Sequence, residues 1–115
     1  MKDIQGTVAG WLQDSTGVPS YRAVPSNPPA EYRTVARRGG GLSMSNRVDT
    51  PLFVVANRAA TSKRARELAY DAVDSLNQMT KHADVFSVDV QSVYEENDPD
   101  TKQPRWKITV AVVSG

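Results

Sequence analysis

The chain has 115 residues, with 14 lysines and arginines against 13 aspartates and glutamates and a formal net charge of +1. That length suits one domain with a core of its own, and the near balance of charge gives no whole-chain attraction for nucleic acid. The absence of cysteine excludes disulfides, thiolate metal sites and cysteine nucleophiles, and His82, the one histidine, leaves no histidine-rich zinc site.

The opening KDIQGTVAGWLQDSTG predicts a short amphipathic helix. Asp3 can cap it, and Ile4, Val8, Trp11 and Leu12 form one apolar stripe. Gly6 and Gly10 weaken it and Gly17 stops it. Acidic residues on both sides, without a small-residue cleavage site after an apolar core, do not read as a signal peptide. No run of about 18 apolar residues marks a membrane-spanning helix, so no membrane partner is expected.

Pro19, Pro25, Pro28 and Pro29 follow. Proline cannot donate to the ladder of a central strand, so the first half of this segment predicts an edge strand or extended stretch, then a turn. EYRTVARR reads as a strand with Tyr32, Thr34 and Ala36 on one face and Arg33, Val35 and Arg37 on the other. Residues 38–50, glycine-rich at Gly39, Gly40 and Gly41, are expected as a flexible strand-to-strand loop longer than a plain hairpin needs. PLFVVA is a continuous apolar run too short for a buried helix and predicts a strand buried on both faces.

ATSKRARELAYDAVDSLNQMTKH has the strongest periodicity. Thr61 or Ser62 caps its start, and Ala65, Leu68, Ala69, Ala72, Val73, Leu76 and Met79 recur at spacings of three and four. The spacing predicts a helix of about five turns packed on a sheet, a core stripe rather than a cofactor box. His82 falls near its end, where a polar or cationic residue suits the dipole. Two half-buried strands close the chain. Phe86, Val88 and Val90 alternate with Ser87, Asp89 and Gln91 in the first, and Trp106, Ile108, Val110 and Val112 alternate with Lys107, Thr109 and Ala111 in the second, with the acidic EENDPDTKQP between them. The expected fold is therefore α+β: residues 1–115 as one domain, with a single antiparallel or mixed sheet of about four to five strands carrying one long and one short helix.

Catalytic and cofactor chemistry find no foothold. A phosphate loop needs GxxxxGK[ST] between a strand and a helix, whereas RRGGGLSMSNR lacks the lysine-hydroxyl pair and leads into a strand. Three consecutive glycines do not space as GxGxxG either. Glu95, Glu96, Asp98 and Asp100 lack EF-hand spacing and read as a solvated hairpin tip that keeps a strand edge charged. Arg33, Arg37, Arg38 and Arg47 with Tyr32 come nearest to a nucleic-acid surface, but no recognised DNA- or RNA-binding signature accompanies them. No catalytic residue, cofactor or metal is expected, and an assembly module remains.

The order of elements resembles the small tail terminator and tail completion proteins of long-tailed bacteriophages, especially those of actinobacterial phages. In their pattern a VP...P...R...GG segment precedes a D.P...V...A.....A..LA strand-helix unit, and a final strand begins after an arginine and an aromatic. Arg37, Gly39, Gly40, Asp49, Pro51, Ala59, Ala65, Leu68, Ala69 and Arg105 occupy the matching positions, and the resemblance covers nearly the whole chain. It implies a subunit that assembles with copies of itself into a ring, typically a hexamer, on the head-proximal end of the tail tube. The ring stops tube growth and offers a surface to the head-tail connector protein. It also implies a place in the virion tail, assembly in the host cytoplasm, and no sequence-specific nucleic-acid partner, with DNA passing through the lumen. Onto that frame the charge pattern adds an expected interface: Arg33, Arg37, Arg38, Gly39, Gly40, Gly41 and Arg47 of one copy facing Glu95, Glu96 and Asp98 of the next. The alternative readings are another connector or stopper subunit of the neck, or a small nucleic-acid-binding regulator.

Overall fold

The structure is a computed structural model that describes residues 3–42 and 49–114. Helix α1 (Ile4–Thr16) begins where the Asp3 carboxylate accepts the backbone N–H of Gly6. It ends at Gly17, whose φ of 75° places it in the left-handed region that glycine enters without steric cost. Ile4, Val8, Ala9 and Leu12 are buried. Trp11 lies at the edge of this stripe and donates its indole N–H to the Ser75 carbonyl at 2.8 Å.

Helix α2 (Ser62–Asn77) takes Thr61 as its N-cap, the hydroxyl accepting the Arg64 N–H at 3.1 Å. Its buried stripe is Ala65, Leu68, Ala69, Ala72, Ser75 and Leu76, and the three alanines let the helix approach the sheet closely. The helix is shorter than its periodicity predicts. The Gln78 N–H bonds to Ser75 O, a three-residue step that tightens the end, and Met79–Lys81 form a separate 3₁₀ turn closed by the His82 N–H on Met79 O.

Five strands form one mixed sheet: β1 (Ser20–Tyr21), β2 (Tyr32–Leu42), β3 (Asp49–Arg58), β4 (Val85–Glu95) and β5 (Arg105–Ser114), in the spatial order β1-β2-β3-β5-β4. β1 pairs parallel to β2, and the other neighbours are antiparallel. With two helices, one long and one short, this is the expected α+β fold. The core lies between the helices and one face of the sheet. There Val35, Phe53, Val55, Ile108, Val110 and Val112 meet Ile4, Val8 and Leu12 of α1, Ala69, Ala72 and Leu76 of α2, and Met79. On the opposite face of β3 no helix packs among the described residues, yet Val54 and Ala56 are also buried, in keeping with its unbroken apolar sequence.

Two expectations are corrected. The strands run well into the anticipated 38–50 loop: Gly39, Gly40 and Gly41 stand opposite Leu52, Pro51 and Thr50, and Leu42 opposite Asp49. The register shifts between Arg37 and Gly39, leaving Arg38 as the extra residue of a β-bulge. Residues 43–48, and with them Arg47, lie outside the described residues. The second correction concerns Phe86, which is 62% exposed while Val85 is buried. A register shift between Val85 and Ser87 inverts the alternation at the start of β4, and a second between Val90 and Ser92 brings Val93 opposite Ile108 on the core face.

Candidate functional site

Of the residues expected at an interface, Arg33 is not on the surface at all: its exposure is 0%. Sharing a strand face with Val35 carries it under the helices. Its Nε–H donates to Asn57 Oδ1 at 2.7 Å, Nη1 to Thr16 Oγ1 at 2.6 Å and Nη2 to the Leu68 carbonyl at 2.9 Å. The guanidinium thus ties β2 to β3, α1 and α2. Burial lowers its pKa to about 10, opposed by the nearby Asp71 charge, so it stays cationic at neutral pH. Arg33 is an internal cross-tie, and its expected place in a basic surface patch is withdrawn.

Arg37 and Arg38 are both exposed, on different faces. Arg37 stands opposite Phe53 on the helix side. Arg38, displaced by the bulge, lies with Thr34, Ala36, Val54, Ala56 and Arg58 on the open face. The acidic residues divide in the same way. Glu95 accepts a hydrogen bond from the Ser62 hydroxyl, which also receives the Trp106 indole N–H at 3.2 Å. Glu96 and Asp98 instead turn to the open face and meet three basic residues that were not expected at an interface: Arg58, Arg105 and Lys107.

These contacts are within one chain. Lys107 Nζ is 2.8 Å from Glu96 Oε1, and Arg105 Nη2 is 3.4 Å from the same oxygen. Asp98 Oδ2 lies 3.0 Å from Arg58 Nη1 and 3.8 Å from Arg105 Nη1. The Glu96 carboxyl is held below its ordinary pKa chiefly by Lys107. That of Asp98 is lowered first by the backbone N–H groups of Thr101 and Asp100, then by Arg58. Those two N–H groups reach Asp98 Oδ1 at 3.1 and 2.9 Å, so the carboxylate organises the turn beneath it. Among the described residues no group of three or more His, Asp or Glu is placed to hold a metal ion.

The signal for the three missed cations is strand alternation. Tyr32, Arg58 and Arg105 form one row across β2, β3 and β5, and Thr34, Ala56 and Lys107 form the next. Tyr32 lies buried beneath the Arg58 guanidinium, 5.5 Å from ring centroid to Cζ. The basic start of α2 is likewise engaged within the chain. Arg64 grips Glu31 through Nε at 2.6 Å and Nη2 at 3.1 Å, and Arg66 lies over the rings of Tyr70 and Trp106. His82 receives the Asp84 N–H on Nδ1 and stands edge-on to Trp11, a structural setting.

No family model and no curated protein matches the chain. Among solved structures, it is similar to a chain in the virion of a native gene transfer agent particle, with a TM-score of 0.62 and 17% sequence identity. The match covers 97% of this chain and 95% of that one, so what the two share is a fold across nearly their whole lengths.

Proposed function

We propose that this protein is a structural subunit of a phage-like virion, and within that class a tail terminator: a subunit that forms a ring on the head-proximal end of the tail tube, ends its polymerisation and presents a surface to the head connector. The observation that carries the reading is the whole-length likeness of fold to a chain of a gene transfer agent virion. The matched motifs at Arg37, Gly39, Gly40, Asp49, Pro51 and Arg105 make it more specific.

The architecture suits such an assembly. β1 pairs only with Arg33 and Thr34, so among the described residues β2 beyond Thr34 has no strand on its outer side, and β4 forms the opposite edge. Edge strands present main-chain donors and acceptors to another chain. Two different edges on one subunit permit head-to-tail contacts, the kind that closes into a ring when the rotation per subunit allows. The partners on this reading are further copies of the chain, the tail tube protein and the head-tail connector.

Electron microscopy of the purified protein mixed with tubes of the cognate tail tube protein tests the proposal. Rings capping one end of tubes of limited length are the expected result. Tubes that stay uncapped and keep growing reject the terminator role, and binding to a portal ring instead would assign the subunit to another level of the neck.

A further inference from the structure

The open face of the sheet holds a recess of about 140 Å³. Its floor is made of short side chains, Thr34 and Ala36 on β2 with Val54 and Ala56 on β3. Its walls are long and cationic: Arg38, Arg58, Arg105 and Lys107. Short residues ringed by long ones make a dent in an otherwise flat surface.

The charges in this dent are not balanced. Among the described residues, Glu96 and Asp98 are the carboxylates paired with its walls, so four cations face two anions. One donor is also left over. The Arg58 side chain is 9% exposed, its Nη1 is taken by Asp98, and its Nε is buried without a hydrogen-bond partner among the described residues. Buried donors of charged groups are normally paired, so this one departs from the rule.

We infer that this recess is a binding site for a carboxylate side chain of a protein partner, held by Arg58, Arg105 and Lys107 with Arg38 at its rim. A planar carboxylate matches the fork of an arginine, and one such group offsets the dent's excess charge. Nucleic acid fits less well. A duplex needs a run of cations along its phosphates, whereas this site is a single small concavity bordered by Glu96 and Asp98 on a chain of net charge +1. The site stands on the geometry of this face alone and is independent of the terminator reading, so failure of the tube-capping experiment leaves it intact.

Nuclear magnetic resonance of arginine Nε–Hε groups in the full chain tests the inference, with hexaglutamate peptide, inorganic phosphate and a short DNA duplex as separate probes. Hexaglutamate is expected to shift the Arg58 and Arg105 signals saturably. Arg38→Gln, at an exposed position that leaves the fold intact, should weaken that binding by about two- to fivefold, the range for one exposed ion pair. Arg58→Lys, which keeps the charge and removes Nε, should weaken it as well. Three results overturn the inference: no saturable shift with hexaglutamate, shifts produced by phosphate but not by the peptide, or tighter binding of the duplex through the same arginines.

Discussion

Arg33 and Asn57 stand directly opposite each other on β2 and β3, and the Arg33 Nε–H donates to Asn57 Oδ1 at 2.7 Å beneath the helices. Asn57 passes the connection on, donating its Nδ2–H to the Trp106 carbonyl of β5 at 3.0 Å. Both residues are 0% exposed. Two polar side chains therefore link three strands, and Arg33 adds α1 and α2.

Removing a buried charge can be neutral when apolar groups replace the whole network, but strongly destabilising when its partners are left behind. Arg33→Met keeps the aliphatic length and leaves Asn57 short of a donor, so it should cost about 3 kcal/mol. Arg33→Lys should cost less, because one of the three bonds can be remade. The Arg33→Met, Asn57→Leu double variant should recover part of the loss. Urea midpoints decide this, and an unshifted midpoint in Arg33→Met contradicts the cross-tie.

The hairpin tip should loosen in acid. Glu96 and Asp98 have folded pKa values below their ordinary ones. Their contribution is therefore complete above the ordinary carboxylate values of about 4 and is lost as pH falls through the lower, folded ones. Hydrogen exchange at the Asp100 and Thr101 amides should be slow at about pH 5 and accelerate, relative to core amides, below about pH 4. Because Glu96 lies in solvent, high salt should weaken its ion pairs as well.

Helix ends give a second stability test. Thr61→Ala removes the cap of α2 and should cost about 1 kcal/mol. Gly17→Ala forces a Cβ into left-handed backbone and should cost about 1–2 kcal/mol despite the open space around it. Thermal unfolding of the two variants reads both.

The bulge in β4 predicts opposite outcomes for adjacent residues. Phe86→Ser should change stability by less than about 0.5 kcal/mol, whereas Val85→Ala should cost about 2 kcal/mol through lost burial and a residual cavity. Equal losses at both positions would mean that regular alternation holds there.

Charge reversal at the bulge of β2 probes assembly. Arg37→Glu with Arg38→Glu should reduce tube capping while leaving the circular dichroism spectrum unchanged, since both side chains are exposed. The single reversals separate the two faces: Arg37 acts on the helix side and Arg38 beside the recess. Capping at the unmodified level by the double variant argues against this region as a contact.

Much of the fold was legible because period and capping agree. The α2 stripe, the caps at Asp3 and Thr61, the stop at Gly17 and the buried strand at PLFVVA all follow from local chemistry that tertiary structure reinforces. What was not legible depended on register. Two bulges in β4 and one in β2 shift side chains between faces, and nothing local distinguishes Phe86 from Val88. The candidate site was harder still. Arg33 looks like a surface residue until Asn57 and the Leu68 carbonyl are seen around it. Arg58, Arg105 and Lys107 are separated by up to about fifty positions and converge only through the pairing of β3 with β5, which no single segment encodes.

That pairing also governs how the protein can be made. β5 follows β4 in the chain yet lies between β3 and β4 in the sheet, while α2 carries the polypeptide from β3 to the far edge. A nascent chain that has emerged only through β4 holds a β2–β3 hairpin and a detached strand, with no seam joining them. The keystone is the strand delivered after both of its neighbours. Until Arg105–Ser114 clears the ribosome, Phe53 and Val55 have no flanking strand on that side and half of the core has no floor. Closure of the sheet therefore waits for β5, and a chain truncated before β5 is expected to be a substrate for proteolysis rather than a smaller version of the same fold.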